Sequence, residues 1–578
     1  MGNIGIRIEP ILTWTLGICL FVICPLVCPK TGEQQSSYIQ LCLSAFVLYF
    51  YILYQLLINH KEYIKIRFSD ISAFGIICLY LVHALFIVPS VLTIWWWIRF
   101  VCCIGTYIFV RLQPPARIKK LFMLFLVSGC IQCTYAILQK VHLFPSLNNS
   151  FDMTGSFLNP APLAGYLTTI TSVLVADSIS KPNKKNINIS FVFLFSTIVV
   201  LLNSRAAIFS LLAIILYLSF KSKSSKATLP SKTICGITFI VMLSIILILL
   251  YYIRKDSANG RLFIWKNTIE MIQDHPITGV GIGKFKSAFP SYQAAFYKYQ
   301  SDSIDKYYDG NCTFAFNEIL EQYAEMGIIS ILIVFIFIWN LKKSKKSHAS
   351  YAYLWGIVNF FIFSCFSYPY SVFTLLITFL FLVSSVTRHT PIIHIGKPSN
   401  CFKMEFAIIS LAIIFISLQS LSTVYHWKSI QDETYSSNKV RFYQEYYPYF
   451  QDNIFYILDY YGVLKDKDYS EEKLHLLDKA IARIPLSGWY LLRANLYMEM
   501  KEWEKAEEDF IFLTHLTPTS LEPIYKLALL YSMTSKKDSA ILLIDKAIKE
   551  KKFKENLNNK MLYYEMKKIR INLTISPN

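Results

Sequence analysis

Cations, carboxylates and aromatics gather in this chain where apolar segments give way to polar ones. Arg205 lies in the short connection "NSRAA", beside Asn203 and Ser204. Arg254, Lys255, Arg261 and Lys266 follow in the longest polar gap between apolar segments, residues 254–316. Guanidinium groups bind phosphate oxygens bidentately, and ammonium groups bind them as point charges. Several such groups at one lipid–water boundary suit a lipid-linked diphosphate. A single interfacial arginine can simply snorkel, but snorkelling requires no clustering. Beyond the gap, Asn317 precedes Glu318, Glu321 and Glu325, whose spacing puts the three carboxylates on one helical face. Ionisable groups on a helix this apolar further on face a bundle or water rather than lipid. Asp302, Asp305 and Asp309 in "SDSIDKYYDGN" are solvated charges, sugar ligands or a base.

The rest of the gap reads as scaffold for these groups. "LFIWKNTIEMIQ" puts Leu262, Trp265, Ile269 and Ile272 on one face, as in a helix lying in a membrane interface. Pro276 stops it. "TGVGIGKF" has no phosphate-loop pattern, so its glycines read as a tight turn with close backbone approach. His275, before that proline, reads as a structural hydrogen-bonder more than a base. Tyr292, Phe296 and Tyr299 form an aromatic stripe suited to a sugar ring or to the interface.

These groups need a membrane to hold them. Of 578 residues, 54% are hydrophobic, and repeated apolar runs reach the 17–25 residues that cross a hydrocarbon core of about 30 Å. The expected fold is all-α: a polytopic membrane helix bundle of about 12–13 spans over residues 1–425, with a soluble helical repeat domain at 426–578. The spans are expected near 10–28, 38–58, 71–89, 91–111, 121–139, 162–179, 188–203, 205–220, 233–253, 317–340, 351–367, 369–387 and 404–425. Lysine and arginine collect in every other loop, including "HKEYIKIRF", "RLQPPARIKK", "KPNKK", "KSKSSK" and "LKKSKK". The net charge of +19 is therefore a topology signal rather than a nucleic-acid one. It predicts a cytoplasmic N-terminus, with the 254–316 loop and everything after Tyr425 outside. Most of the 13 cysteines lie in apolar runs, and Cys130 and Cys133 lack partner ligands for a metal or redox role. No metal or cofactor is expected.

The soluble tail has an internal period. Ala494, Tyr497 and Ala506 recur 34 residues later as Ala528, Tyr531 and Ala540. "LLDKAIAR" at 476–483 and "LIDKAIKE" at 543–550 extend the pattern to three repeats of tetratricopeptide type, the first degenerate. Such an array offers a surface for a protein partner, or serves as a plain helical cap.

In this order the motifs resemble the O-antigen ligase/polymerase superfamily of membrane glycosyltransferases. "TGSFLNPAPLAGYL", "NSRAA", "GRLFIWKNTIEMIQDHPITGVGIGKF" and "FNEILEQYAEMGI" each resemble a family motif, over roughly residues 10–390. The resemblance implies a GT-C type fold and an undecaprenyl-diphosphate glycan donor. The acceptor would be lipid A core, protein or another glycan, at the periplasmic face of a bacterial inner membrane. Arg205 and Arg261 match the arginines that hold the diphosphate. Arg254, Lys255, Trp265 and Asn317 are further substrate-binding candidates. The family's ligases carry a histidine, proposed to activate the acceptor, where this chain has Phe316. Glu318 or Asp309 then becomes the candidate base. A repeat-unit polymerase of O-antigen or capsule is the alternative within this class. A lipid-linked glycan transporter would show charges deep in spans and a repeated membrane half. Only Arg99 lies well inside a predicted span. A non-catalytic assembly scaffold would tolerate loss of Arg205 and Arg261.

Overall fold

The computed structural model describes residues 2–26, 35–57, 64–90, 92–180, 185–224, 229–299, 308–344, 347–431, 437–464, 469–534, 536–550, 553 and 557–575. The chain is an all-α polytopic membrane protein. Its membrane part begins with α1 (Glu9–Leu26), α2 (Ser37–Leu57), strand β1 (Ile64–Arg67) and α3 (Phe68–Ile87). It continues through α4 (Ile94–Leu112), α5 (Pro115–Lys140), α6 (Pro160–Ser180), α7 (Lys185–Leu201), α8 (Arg205–Ser224) and α9 (Leu229–Ile253). The polar gap folds as α10 (Lys255–Asp274), α11 (Phe285–Tyr299) and α12 (Glu318–Met326). Then come α13 (Ile328–Lys343), α14 (His348–Ser364), α15 (Phe373–Thr387), strand β2 (Ile392–Gly396) and α16 (Asn400–Gln431).

Helices stand at every predicted span. Among the described residues, eight are long and apolar enough to cross a membrane by length and composition. The tenth predicted span is corrected: it is two helices, α12 and α13, broken at Gly327. The last span runs on to Gln431, past the boundary expected at 425.

Burial sorts the bundle. α6 is its most enclosed span, at 72% buried, whereas α9 shows no buried position over its apolar window. Small residues let α6 approach α14 closely: Gly165 lies under the Phe363 ring, and Gly356 under Val173. The hydroxyls of Thr168, Thr169, Thr171 and Ser172 are buried in α6 and bond carbonyls of its preceding turn. At one end of the bundle β1 pairs antiparallel with β2. The polar gap lies at the other.

The tail is a stack of helical hairpins: α17 (Ser437–Phe450), α18 (Ile454–Val463), α19 (Ser470–Arg483), α20 (Ser487–Glu499), α21 (Trp503–Leu516), α22 (Glu522–Met533), α23 (Lys537–Glu550) and α24 (Leu557–Ile575). The residues spaced by 34 sit at matching places in it: Ala494, Ala506, Ala528 and Ala540 are all fully buried where helices meet. The tail joins the loop end of the bundle through aromatics. Tyr38 of α2 stacks on Trp95 of α4 at 4.1 Å, and the Trp95 indole N–H donates to the Tyr449 carbonyl at 2.6 Å.

Glycines fasten the polar gap to α13. The Val280 and Gly281 N–H groups donate to the Ala324 and Glu325 carbonyls at 2.8 and 2.9 Å, and the Ile328 N–H to the Ile277 carbonyl at 3.2 Å. Gly279 (φ 66°) and Gly327 (φ 56°) both take left-handed backbone there. A Cβ on Gly279 would lie 2.3 Å from the Glu325 carbonyl carbon, and one on Gly327 2.2 Å from the Ile277 oxygen. Gly279→Ala and Gly327→Ala should each destabilise the protein by at least the ~1–2 kcal/mol of left-handed strain. Gly310, with open space around it, is the control. Thermal unfolding in detergent should show a lower Tm for the first two variants and an unchanged one for Gly310→Ala.

Candidate functional site

Arg205 opens α8 after a sharp turn in which Asn203 is left-handed, at φ 52°. Asparagine tolerates that conformation better than most residues. The turn aims the Arg205 guanidinium at the end of α9. Nη1 donates to the carbonyls of Leu250 and Arg254 at 3.2 and 2.9 Å, and Nη2 to Ser257 Oγ at 2.8 Å. Arg205 thus supplies donors to carbonyls at and just beyond the end of α9.

Arg261 stands further along α10. Its Nη1 donates to the Phe366 carbonyl at 2.8 Å, and its guanidinium lies over the Phe316 ring, 5.3 Å from the centroid. Burial, then the Arg205 charge, brings its pKa down to about 10, so it stays charged at neutral pH. Arg205, Arg261, Trp265 and Phe366 share an open cavity of about 240 Å³ with Phe209, Leu247 and Leu250. Two cations therefore stand in a chamber whose other walls are mostly apolar. Its outer wall is α9, the helix with the most exposed apolar surface.

The end of the gap closes the cavity. The Trp265 indole N–H donates to the Ala315 carbonyl at 2.9 Å. Phe316 is left-handed at φ 53°, strained for an aromatic residue. It is held between Arg261 and Tyr368, while Phe314 stacks on Tyr368 at 4.4 Å. Backbone strain of this kind clusters at functional sites.

The remaining candidates separate from this cavity. Arg254 and Lys255 are exposed outside it, and Arg254 contributes its carbonyl to Arg205 rather than its charge. The Asn317 side-chain oxygen is used as the N-cap of α12, accepting from the Ile319 and Leu320 N–H groups at 3.1 and 3.2 Å. Asp309 binds the tail: its Oδ2 accepts from the Thr519 N–H at 2.8 Å and hydroxyl at 2.5 Å. Asp309 does not line the cavity. Asp302 and Asp305 lie outside the described residues.

Glu318 is 3% exposed and does not line the cavity either. It lies in α12, which precedes the span α13. Its Oε1 accepts from the Tyr370 N–H at 2.8 Å, and Arg99 donates to the Tyr370 carbonyl. Burial pushes its carboxyl above the ordinary carboxylate range, against the Tyr370 bond and the Arg99 charge. Glu321 and Glu325 accept from the Ala315 and Phe285 N–H groups, at 2.8 and 3.2 Å. The carboxylate face of α12 thus holds backbone in place.

A second cavity, of about 180 Å³, adjoins this cluster and is lined by Arg99, Ser156, Phe157 and Ser371. The "TGSFL" segment reaches it because Gln139 Oε1 accepts from the Thr154 and Gly155 N–H groups, at 2.9 and 2.8 Å. Ser257, Phe366, Tyr368 and Tyr370 were not singled out in the sequence. Three of them act here through backbone or ring contacts that leave no local signature. Arg99 was visible as a lone charge, but α4 starts at Ile94, so it sits near the helix end rather than deep inside.

Residues 190–335 match the family model described as O-antigen ligase. That segment is similar to O-antigen ligase domains. No curated protein matches the chain. The matched segment runs from within α7 through α12 into α13, so Arg205, Arg261, Phe316 and Glu318 all lie in it. Phe366 and Tyr370, which hold Arg261 and Glu318, come from outside it. The family supports glycan transfer of ligase or polymerase type on lipid-linked substrates. The tail likewise falls outside the match.

The Asp309 bonds separate its structural role from a chemical one. Asp309→Ala should cost about 1.5–3 kcal/mol at the loop–tail contact, as for hydrogen bonds to a charged group. Limited proteolysis of purified protein should show faster cleavage between loop and tail. Loss of glycan transfer with unchanged protease protection would return Asp309 to the chemistry.

Proposed function

We propose that the protein transfers a glycan from an undecaprenyl-diphosphate carrier to an acceptor hydroxyl on lipid A core or protein. The site would lie at the periplasmic face of a bacterial inner membrane. The observation that carries this reading is the pair of guanidinium groups, Arg205 and Arg261, in one mostly apolar cavity beside the exposed helix α9. A carrier with an anionic head and a hydrocarbon tail needs that combination. The prenyl chain would lie along α9, with the diphosphate between the two arginines. The acceptor oxygen attacks the anomeric carbon, the carbon–oxygen bond to diphosphate breaks, and the leaving group keeps the electron pair. The arginines stabilise the charge developing on it. The acceptor proton goes to a base, for which Glu318 remains the candidate. The repeat-type tail would present the acceptor or a partner protein.

Arg261→Ala and Arg205→Ala should each lower transfer by about 10²–10³-fold, the scale of one lost donor to a developing anion. Because both arginines also bond backbone, rates are compared at matched folded fraction, with Arg261→Lys as a charge-conserving control. Full activity of either alanine variant would support a scaffold instead. In cells, deletion should leave polymer on the carrier while lipid A or protein loses its glycan. Accumulation of single repeat units would indicate a polymerase.

The raised Glu318 pKa sets the sign of a pH test. A base must be ionised, so the rate should rise with pH along a limb displaced upward from the ordinary glutamate value of about 4.3. Glu318→Gln should abolish that limb. A variant with full activity and an unchanged profile would exclude Glu318 as the base.

A further inference from the structure

The largest cavity described here lies at the opposite end of the bundle from the polar gap, beside the β1–β2 pair. It measures about 690 Å³, within the range of small-molecule sites. Lys65, Arg67, Arg111, Arg117 and Arg388 line it, against the carboxylates of Asp70 and Glu9. Two of the cations are paired: Arg111 with Asp70 at 2.5 Å and Arg117 with Glu9 at 3.0 Å. Lys65, Arg67 and Arg388 form no ion pair among the described residues, so three positive charges are left over around one space.

These arginines are held, not splayed into solvent. Arg67 Nη1 donates to the Thr390 carbonyl at 2.9 Å, and its own N–H donates to Asp70 Oδ2 at 2.8 Å. Arg388 Nη2 reaches the Arg111 carbonyl at 3.5 Å, while its Nη1 is buried with no hydrogen-bond partner among the described residues. A buried N–H of a cation without an acceptor is costly. Burial and the Arg111 and Arg67 charges bring the Arg388 pKa down to about 10, the sign of a site crowded with like charge. Topology signalling needs positive charge in this region, but it does not need three unpaired cations lining a common cavity.

We propose that this cavity binds a phosphate-bearing anion, with Arg388, Arg67 and Lys65 as its ligands. The anion would supply the acceptor that Arg388 Nη1 lacks and neutralise the surplus charge. The chemistry is shared by a phospholipid headgroup and by free phosphate. The site is independent of the glycan-transfer reading, because no residue of the Arg205–Arg261 cavity takes part.

The test uses the full-length protein in nanodiscs and reads its thermal unfolding. Phosphatidylglycerol discs are compared with phosphatidylcholine discs, and inorganic phosphate is titrated into the phosphatidylcholine sample. Stabilisation by phosphatidylglycerol alone identifies a lipid headgroup. Stabilisation by inorganic phosphate identifies a free anion. In either case Arg388→Gln should weaken apparent binding about tenfold, the scale of one charge-assisted hydrogen bond. Lys65 is exposed, so Lys65→Gln provides a second variant should Arg388→Gln fold poorly. Lys119→Gln/Lys120→Gln removes two exposed charges outside the cavity lining and should change nothing. The proposal is overturned if neither probe stabilises the wild type. It is equally overturned if Lys119→Gln/Lys120→Gln weakens the response as much as the cavity variants do.

Discussion

The structure depends on one backbone clasp, between residues 277–281 and 324–328. Two N–H groups of the glycine turn and one of α13 close it, and side chains larger than hydrogen are excluded at Gly279 and Gly327. The clasp ends α12 where it does. It thereby fixes the face on which Glu318, Glu321 and Glu325 hold neighbouring backbone. Through Ala315 and Phe316 it sets the wall against which Arg261 and Trp265 rest. It is also anchored to the bundle: the imidazole Nε2 of His83 is 2.6 Å from the Thr278 carbonyl, and Lys284 Nζ donates to the Pro89 carbonyl at 2.9 Å. A polar segment beside a membrane is in this way made as rigid as the helices around it.

Cations in the Arg205–Arg261 cavity are kept poised by neutral partners. Both arginines spend hydrogen bonds on carbonyls and a hydroxyl, and neither pairs with a carboxylate among the described residues. Carbonyl dipoles orient a guanidinium without cancelling its charge. An anion entering this cavity would therefore meet full positive charge already in position, with little reorganisation. At Phe316 the aromatic face adds a quadrupole beneath Arg261 where the family's ligases carry a histidine. Position 316 in this chain thus steadies a cation and carries no group that could take up a proton.

Much of this was legible in the sequence. Apolar run length located the helices, because crossing a hydrocarbon core leaves few alternatives. The clustering of Arg205 and Arg261 was legible because both stand at span ends, where charge is conspicuous. The 34-residue period located the hairpins of the tail. What the sequence could not show is contact across distance. Asp309 read as a solvated charge, a sugar ligand or a base, and its carboxylate is bonded to Thr519; Asn317 read as a substrate-binding candidate, and its side chain caps a helix. These contacts were hidden for one reason: a polar side chain carries no local mark of which partner will take its hydrogen bonds. The Gly327 break was hidden for a related reason. The apolar run of α13 continues the polar helix α12 smoothly in composition, and only the packing of Gly327 against Ile277 interrupts it.

The helix α11 has the tail as its neighbour. Ala294 shares a buried cluster with Ala494, Tyr497 and Phe510, and the Gln293 amide donates to the Leu516 carbonyl at 2.9 Å. One residue of that small core, Ala294, therefore comes from the segment between the spans. The tail thus packs on a loop helix that lies more than a hundred residues before it in the chain. A gene rearrangement that exchanged the tail alone would leave α11 with an orphaned apolar face. The loop helix α11 and the tail are therefore packed as one unit.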